Sequence, residues 1–210
     1  LVICAGLLGT ETRAPLAGVL LATVAMIWLL GGWRARASSA TLLIAAVLIG
    51  SFWFHKERKI GWIGRRDAGT DYRLLMWQDG LRLMREHPLT GIGMDTVEYR
   101  GNELGIRAYK KYPGFTSHFH STPIQIGAEC GLIALAAWLW LMAALLRFLW
   151  KLWRAQPRET WCESGVALGW LAAVAAFCGA AVVHYIWGDA EVMVLFWLLT
   201  GLTWAMQNSS

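Results

Sequence analysis

Of the 210 residues, 57% are hydrophobic and 14 are tryptophan, and 19 basic against 14 acidic side chains leave a net charge of +5. A soluble domain averages about 45–50% apolar residues, so this composition excludes an ordinary water-soluble globule and points to a chain that lives in lipid. Cys4, Cys130, Cys162 and Cys178 form no CxxC or other ligand spacing, which excludes a disulfide framework or a cysteine zinc site.

In chain order, the opening "LVICAGLLG" reads as the tail of an apolar helix, and the expectation is the C-terminal part of a longer membrane protein. Runs of about 18 or more apolar residues with few charges are candidate spanning helices. Residues 14–33 form one such run and 39–54 a shorter second. Residues 124–150 are a long third, 165–187 a fourth, and 190–206 a fifth that is only just long enough. Tryptophans collect near the ends of these runs, at Trp28, Trp33, Trp53, Trp150, Trp153, Trp187 and Trp204, as amphipathic rings do at membrane–water interfaces. Arg34 and Arg36 occupy one short connection, and Lys151, Arg154 and Arg158 another. Counting helices puts both on one side, which the positive-inside rule makes cytoplasmic. Arg13, residues 54–121 and the turn at 188–190 then fall on the opposite face. The expected fold is a single all-α, polytopic transmembrane helix bundle over residues 1–210, with a large extracytoplasmic loop at 55–121.

The middle segment, 54–121, holds 12 of the 19 basic and 8 of the 14 acidic residues. Long loops translocate largely regardless of charge. Its positive excess therefore asks for an anionic ligand or lipid headgroups, with no nucleic acid implied, or else for plain solvation. Within it, Leu74, Trp77, Leu81 and Met84 recur at helical spacing, which predicts an amphipathic helix suited to the membrane interface. Arg73 stands at the edge of that stripe, and Arg82 and Glu86 on the polar side. Pro88, Gly91 and Gly93 stop the helix in a tight turn. From Met94 to Phe115 the pattern is weak and reads as loop with one short helix.

The loop ends on "SHFHSTPIQIGAECGLIAL". His118 and His120 could belong to a metal site, a proton-transfer site or a helix end. A zinc site needs three or four ligands, and only Glu129, Glu98 or Glu103 are near in sequence, so metal is disfavoured. A neutral imidazole can instead take a proton from a hydroxyl near neutral pH. Ser121 and Thr122 ahead of Pro123 are N-cap residues, which puts His120 just before a helix N-terminus, where anions are favoured. Arg13 and Arg73 are phosphate ligands on the functional reading, since guanidinium binds phosphate bidentately. On the plain reading Arg13 snorkels or pairs with Glu11.

These stretches resemble the O-antigen ligase family, which overlaps in sequence with O-antigen polymerases and O-linked protein oligosaccharyltransferases. His120, Ser121 and Gly131 fit its His-[Asn/Ser/Gln]-x9-Gly pattern. Arg73, Trp77, His87, Pro88, Leu89, Gly91 and Gly93 fit its Arg-x3-Trp … His-Pro-Leu-x-Gly-x-Gly stretch. "TETRAPLAGVLL" is similar to its Thr-x-Ser-Arg-Gly segment, with Thr12 in place of the serine and Ala14 and Pro15 after Arg13. The resemblance implies a GT-C-like membrane glycosyltransferase that works without a metal or other cofactor. It would act on the periplasmic face of the bacterial inner membrane, in lipopolysaccharide biosynthesis. The donor would be a glycan on undecaprenyl diphosphate, and the acceptor a hydroxyl on lipid A–core or another glycan. His120 would be the general base and Arg73 and Arg13 the diphosphate ligands, with His118, Ser121 and Trp77 supporting.

Polymerase and protein oligosaccharyltransferase share these parts and differ in acceptor. A different class, a non-enzymatic transporter or assembly subunit, would carry ionisable residues deep in its helices. His184, Glu129, Asp189 and Glu191 all lie near helix ends instead, and no pair of Gly/Pro-broken helices is evident. Asp189 and Glu191, at the last extracytoplasmic turn, either orient a sugar or a histidine or are simply solvated.

Overall fold

The computed structural model describes residues 68–113, 118–155 and 161–208, and upstream of them residues 24, 27, 28, 32–34, 37–41 and 44. Arg13 and most of the expected runs 14–33 and 39–54 lie outside the described residues. The chain divides into two compact units, Leu1–Tyr72 and Arg73–Ser210. In the first, the described residues from 24 to 44 are helical except Gly32, with Ser38 Oγ donating to the Arg34 carbonyl at 2.9 Å.

Among the described residues every regular element is a helix: α1 (Ala68–Glu86), α2 (Thr96–Arg100), α3 (Arg107–Lys111), α4 (Thr122–Ala155), α5 (Trp161–Val183) and α6 (Ala190–Asn208). Helix α1 forms where the spacing predicts one and stops ahead of Pro88, with Asp71 in its first turn and Arg85 in its last, as the helix dipole favours. Its buried face differs from the expected stripe. Met76 and Leu83 are buried, together with Asp79 and Gly80, while Leu81 is exposed. Burying Met76 and Leu83 contributes about 1.5–3 kcal/mol each. The polar residues on this face have local reasons. Asp79 accepts 2.8 Å hydrogen bonds from both the backbone N–H and Nε of Arg107, which fastens α3 to α1. That pairing offsets the several kcal/mol that a lone buried carboxylate costs. A Cβ on Gly80 would collide with Ile124 and stand 3.1 Å from Phe119 Cδ1, so α1 lies directly against the entry to α4. Where the sequence pattern is weak two short helices form, α2 and α3, joined by the Tyr109 hydroxyl donating to the Val97 carbonyl at 3.0 Å.

Helix α4 is 34 residues long but is broken at Gly131, whose φ of 85° and ψ of 171° are not helical. The unbroken run expected over 124–150 is thus a short head, up to Cys130, and a longer shaft over residues 132–155. At about 1.5 Å per residue the shaft spans about 36 Å, enough for a hydrocarbon core of about 30 Å. On the shaft Trp138, Met142, Leu145, Leu149 and Leu152 are buried, the alternating four- and three-residue spacing of a helix–helix seam. Trp138, Met142, Leu145 and Leu149 pack with Trp170, Val174 and Ala181 of α5 and Phe196 of α6. The Trp187 ring stands 5.9 Å from both Trp138 and Phe196, pinning the α5–α6 turn against α4. Helix α5 ends at Val183, short of the expected 187, because residues 184–189 form that turn.

Helix α4 and residues 165–183 of α5 are long and apolar enough to cross a membrane, and α6 carries a shorter apolar stretch, Ala190–Ala205. Their outward surfaces are apolar as well: Ile133, Trp140, Val182, Val194, Leu198 and Trp204 are exposed. A helix apolar on every side suits lipid rather than water, and the described part of the chain has the make-up of a helical membrane protein.

Candidate active site

The site is built on the break in α4. A glycine with φ of 85° ends the regular i→i−4 ladder, which frees carbonyls of the head and an amide of the shaft. The turn after α1 takes them up. Ile92 N–H donates to Ala128 O at 3.0 Å, Gly93 N–H to Glu129 O at 3.0 Å, and Leu132 N–H to Pro88 O at 2.8 Å. Glycine is required on both sides of this latch. A Cβ on Gly131 would run into the Leu89 carbonyl, and one on Gly91 into the backbone at Glu129. The Glu129 side chain, 4% exposed, accepts from the Val97 amide at 3.2 Å and so holds the start of α2. Glu129 is thereby committed to the scaffold.

The head of α4 carries the histidines. Ser121 is the N-cap: it is buried, and its carbonyl accepts from the Gln125 amide at 2.8 Å. Phe119 is fully buried, and its N–H donates to Gln125 Oε1 at 2.8 Å. With Phe119 turned inward, His118 and His120 flank it and their rings come to 4.5 Å. His120 has a φ of 52°, a left-handed conformation that costs an L-residue about 1–2 kcal/mol. Trp77 on α1 holds it there, its Nε1–H donating to the His120 carbonyl at 3.3 Å.

A third imidazole completes the cluster. His184, the first residue after α5, lies 6.0 Å from the His118 ring and 6.2 Å from the His120 ring. Tyr185 lies 5.3 Å from His118. Thr122 brings them in. Its N–H and Oγ1–H donate to the His184 carbonyl at 3.2 and 3.0 Å, and its Oγ1 accepts from the Ile186 N–H at 3.2 Å. Sequence reading placed His184 at a helix end without joining it to the pair. The available signal was sidedness, since the 188–190 turn and the histidines fall on one face.

Burial, the neighbouring His118 ring, the Arg73 guanidinium and His184 together hold the His120 imidazole well below its ordinary value, at about 4. His118 is lowered too, first by burial and then by His184, with Asp189 opposing and Arg73 adding to the shift. Both rings are therefore neutral at pH 7 and able to accept a proton. Arg73 is exposed on α1, within electrostatic reach of both histidines, and Asp189 acts on the cluster from the turn. The structure thus brings together His118, His120, Ser121, Trp77 and Arg73, while Arg13 lies outside the described residues. Among the described residues, no group of three or more His, Cys, Asp or Glu side chains is arranged to hold a metal ion.

Beside the cluster a cavity of about 310 Å³ opens along α4, from Gln125, Glu129 and Tyr185 down to Trp138 and Leu141. Its upper end touches residues that hold the histidines and its lower end is apolar, so a ligand with a polar head and a hydrocarbon tail matches it in chemistry.

Comparison with known proteins adds an independent line. The profile of the O-antigen ligase family matches residues 1–139. An O-antigen ligase of Pseudomonas aeruginosa is 29% identical over 200 residues, covering 91% of this chain and 45% of its own length. The chain spans about half the length of that curated relative.

Proposed function

The chain belongs to the O-antigen ligase family, and from that premise we propose that it carries the catalytic residues of a multi-pass glycosyltransferase of the bacterial inner membrane. On this reading it moves a glycan from undecaprenyl diphosphate to a hydroxyl on lipid A–core, on the periplasmic face. The observation that carries the reading is the cluster of imidazoles at the head of α4 with the Arg73 cation beside it.

The chemistry follows from charge. The acceptor oxygen must lose its proton as it attacks the anomeric carbon of the donor sugar. The bond from that carbon to the phosphate oxygen breaks, and undecaprenyl diphosphate leaves with an added negative charge. His120 takes the proton, an effect worth about 10²–10⁴-fold in rate. Arg73, with Arg13, offsets the charge that develops on the leaving diphosphate. With a pKa of about 4, His120 alone is a weak base. The donor's own charge corrects this, because an anion beside an imidazole favours its protonated form, so the base strengthens as the donor binds.

Polymerase or protein oligosaccharyltransferase activity would use the same parts on another acceptor. The test is transfer in strains deleted for the ligase or for the polymerase, complemented with the full-length protein and its His120→Ala variant. Glycan appearing on lipid A–core, and lost with His120→Ala, is the expected result. Lengthening of the lipid-linked glycan alone would make it a polymerase. Transfer retained without His120 would overturn the mechanism.

A further inference from the structure

The apolar stripe of α1, which by spacing alone suits a membrane interface, is used up inside the protein. A side chain on Gly80 would meet Ile124 and Phe119, and one on Gly127 would meet Met84, so α1 lies on the head of α4. The exposed apolar side chains of the loop sit at the two ends of the latch instead: Leu89 is 67% exposed and Met94 75%. Scattered single apolar residues on a surface need no explanation, but these two share a fixed height. Leu132 N–H donates to Pro88 O and Gly93 N–H to Glu129 O, which holds Leu89 and Met94 level with the break at Gly131.

The charged end of the shaft sets the depth of that level. Arg147 and Lys151 are exposed cations there, and such side chains keep their charge at the headgroups. Leu132 stands about 16–20 residues above them, about 24–30 Å at about 1.5 Å per residue. A hydrocarbon core is about 30 Å thick, so the latch lies at its far boundary or just inside it. Leu132 and Ile133, at the same height on α4, are exposed as well and continue the apolar surface of the shaft. The turn is fit for that position. Its Gly91, Ile92 and Gly93 amides all donate within the protein, and the Thr90 hydroxyl donates to the Gly91 carbonyl at 3.1 Å, so these groups need no water. Arg85 and His87 before Leu89, and Asp95 after Met94, are exposed and polar, which limits insertion to the two apolar side chains.

We propose that Leu89 and Met94 form a membrane contact, their side chains entering the hydrocarbon boundary of the leaflet at the head of α4 and seating the loop on the bilayer. The partner is the upper part of the phospholipid acyl chains. Met94 also lines the upper end of the cavity along α4, so lipid that touches Met94 stands at the cavity's edge. The contact rests on α4 being a membrane span and not on the transfer chemistry, so either can fail without the other.

The experiment uses the full-length protein, its native cysteines replaced, in nanodiscs of phosphatidylcholine and phosphatidylglycerol. Leu89→Cys, Met94→Cys and, as a lipid-facing reference on α6, Leu198→Cys each carry an environment-sensitive fluorophore. All three side chains are exposed, so none of the substitutions empties the core. At both 89 and 94, phospholipid spin-labelled high on its acyl chain should quench the probe as it does at 198, and aqueous iodide should quench it several-fold less than the free probe. Iodide quenching as full as that of the free probe, at either position, overturns the contact. Shielding from both quenchers overturns it too, since another part of the protein would then cover the turn. A substitution-free readout is wild-type protein irradiated with a phospholipid carrying a diazirine high on its acyl chain. Adducts should appear on the peptide that holds Leu89 and Met94, and their absence there overturns the proposal.

Discussion

Gly131→Ala should unfasten the loop from α4 and with it the candidate active site. Two costs add. At a φ of 85° an alanine is strained, by about 1–2 kcal/mol. Its Cβ would also collide with the Leu89 carbonyl oxygen and approach the Leu89 carbon at 2.6 Å, both backbone atoms that cannot rotate away. Relief requires the 88–93 turn to move off, which breaks the bonds from Ile92, Gly93 and Leu132. Three backbone hydrogen bonds at about 0.5–1.5 kcal/mol each contribute about 1.5–4.5 kcal/mol. Together the loss is about 2.5–6.5 kcal/mol, a large share of the 5–15 kcal/mol that holds a typical domain folded. Hydrogen exchange on the full-length protein in detergent should show faster exchange at the Ile92, Gly93 and Leu132 amides, with the α5 core unchanged. Transfer activity should fall with it. Unchanged exchange at those three amides would refute the latch, as would an unaltered melting temperature.

Two further predictions concern charge. His120 titrates at about 4 in the folded site, below its ordinary 6.5, so the folded state binds fewer protons than the unfolded chain between those values. Its contribution to stability is whole above about 6.5 and is lost as pH falls toward about 4. The acid limb of kcat/KM, which reports the free enzyme, should lie well below 6.5, while the limb of kcat should lie higher once the donor's diphosphate is bound. Coincident limbs near 6.5 would contradict the site's electrostatics. Arg73→Ala removes both the proposed diphosphate ligand and a charge that depresses His120. It should raise the donor KM several-fold and move the kcat/KM limb upward, and a limb that stays in place would separate Arg73 from the cluster.

How far the sequence could be read depended on whether the signal was local. The helix over α1 and its stop ahead of Pro88 are local, and so is the N-cap at Ser121 ahead of Pro123. The pairing of residues was not local. Gly131 is marked in sequence only by the family pattern, and the docking of Leu89 and Gly91 against it supplies the physical reason for both glycines. Asp79 is polar yet buried, and the Arg107 bonds that hold it inward come from 28 residues away. Likewise Glu129 offered itself as a metal ligand until Val97, 32 residues away, accounted for its carboxylate. His184 was visible as a histidine at a helix end, but its place beside His120 depends on Thr122, 62 residues away. Patterns of spacing carried the helices and the family resemblance the candidate base, whereas long-range bonds decided what surrounds that base.

The central claim is that a neutral His120, among three imidazoles and beside Arg73, takes the proton from an acceptor hydroxyl as a lipid-linked glycan is transferred. The most direct measurement is glycan transfer by the full-length protein reconstituted in liposomes with undecaprenyl diphosphate-linked glycan and lipid A–core, comparing wild type with His120→Ala at matched insertion. A loss of about 10²–10⁴-fold in kcat with donor binding preserved is the predicted result. Transfer by His120→Ala at the wild-type rate would contradict it.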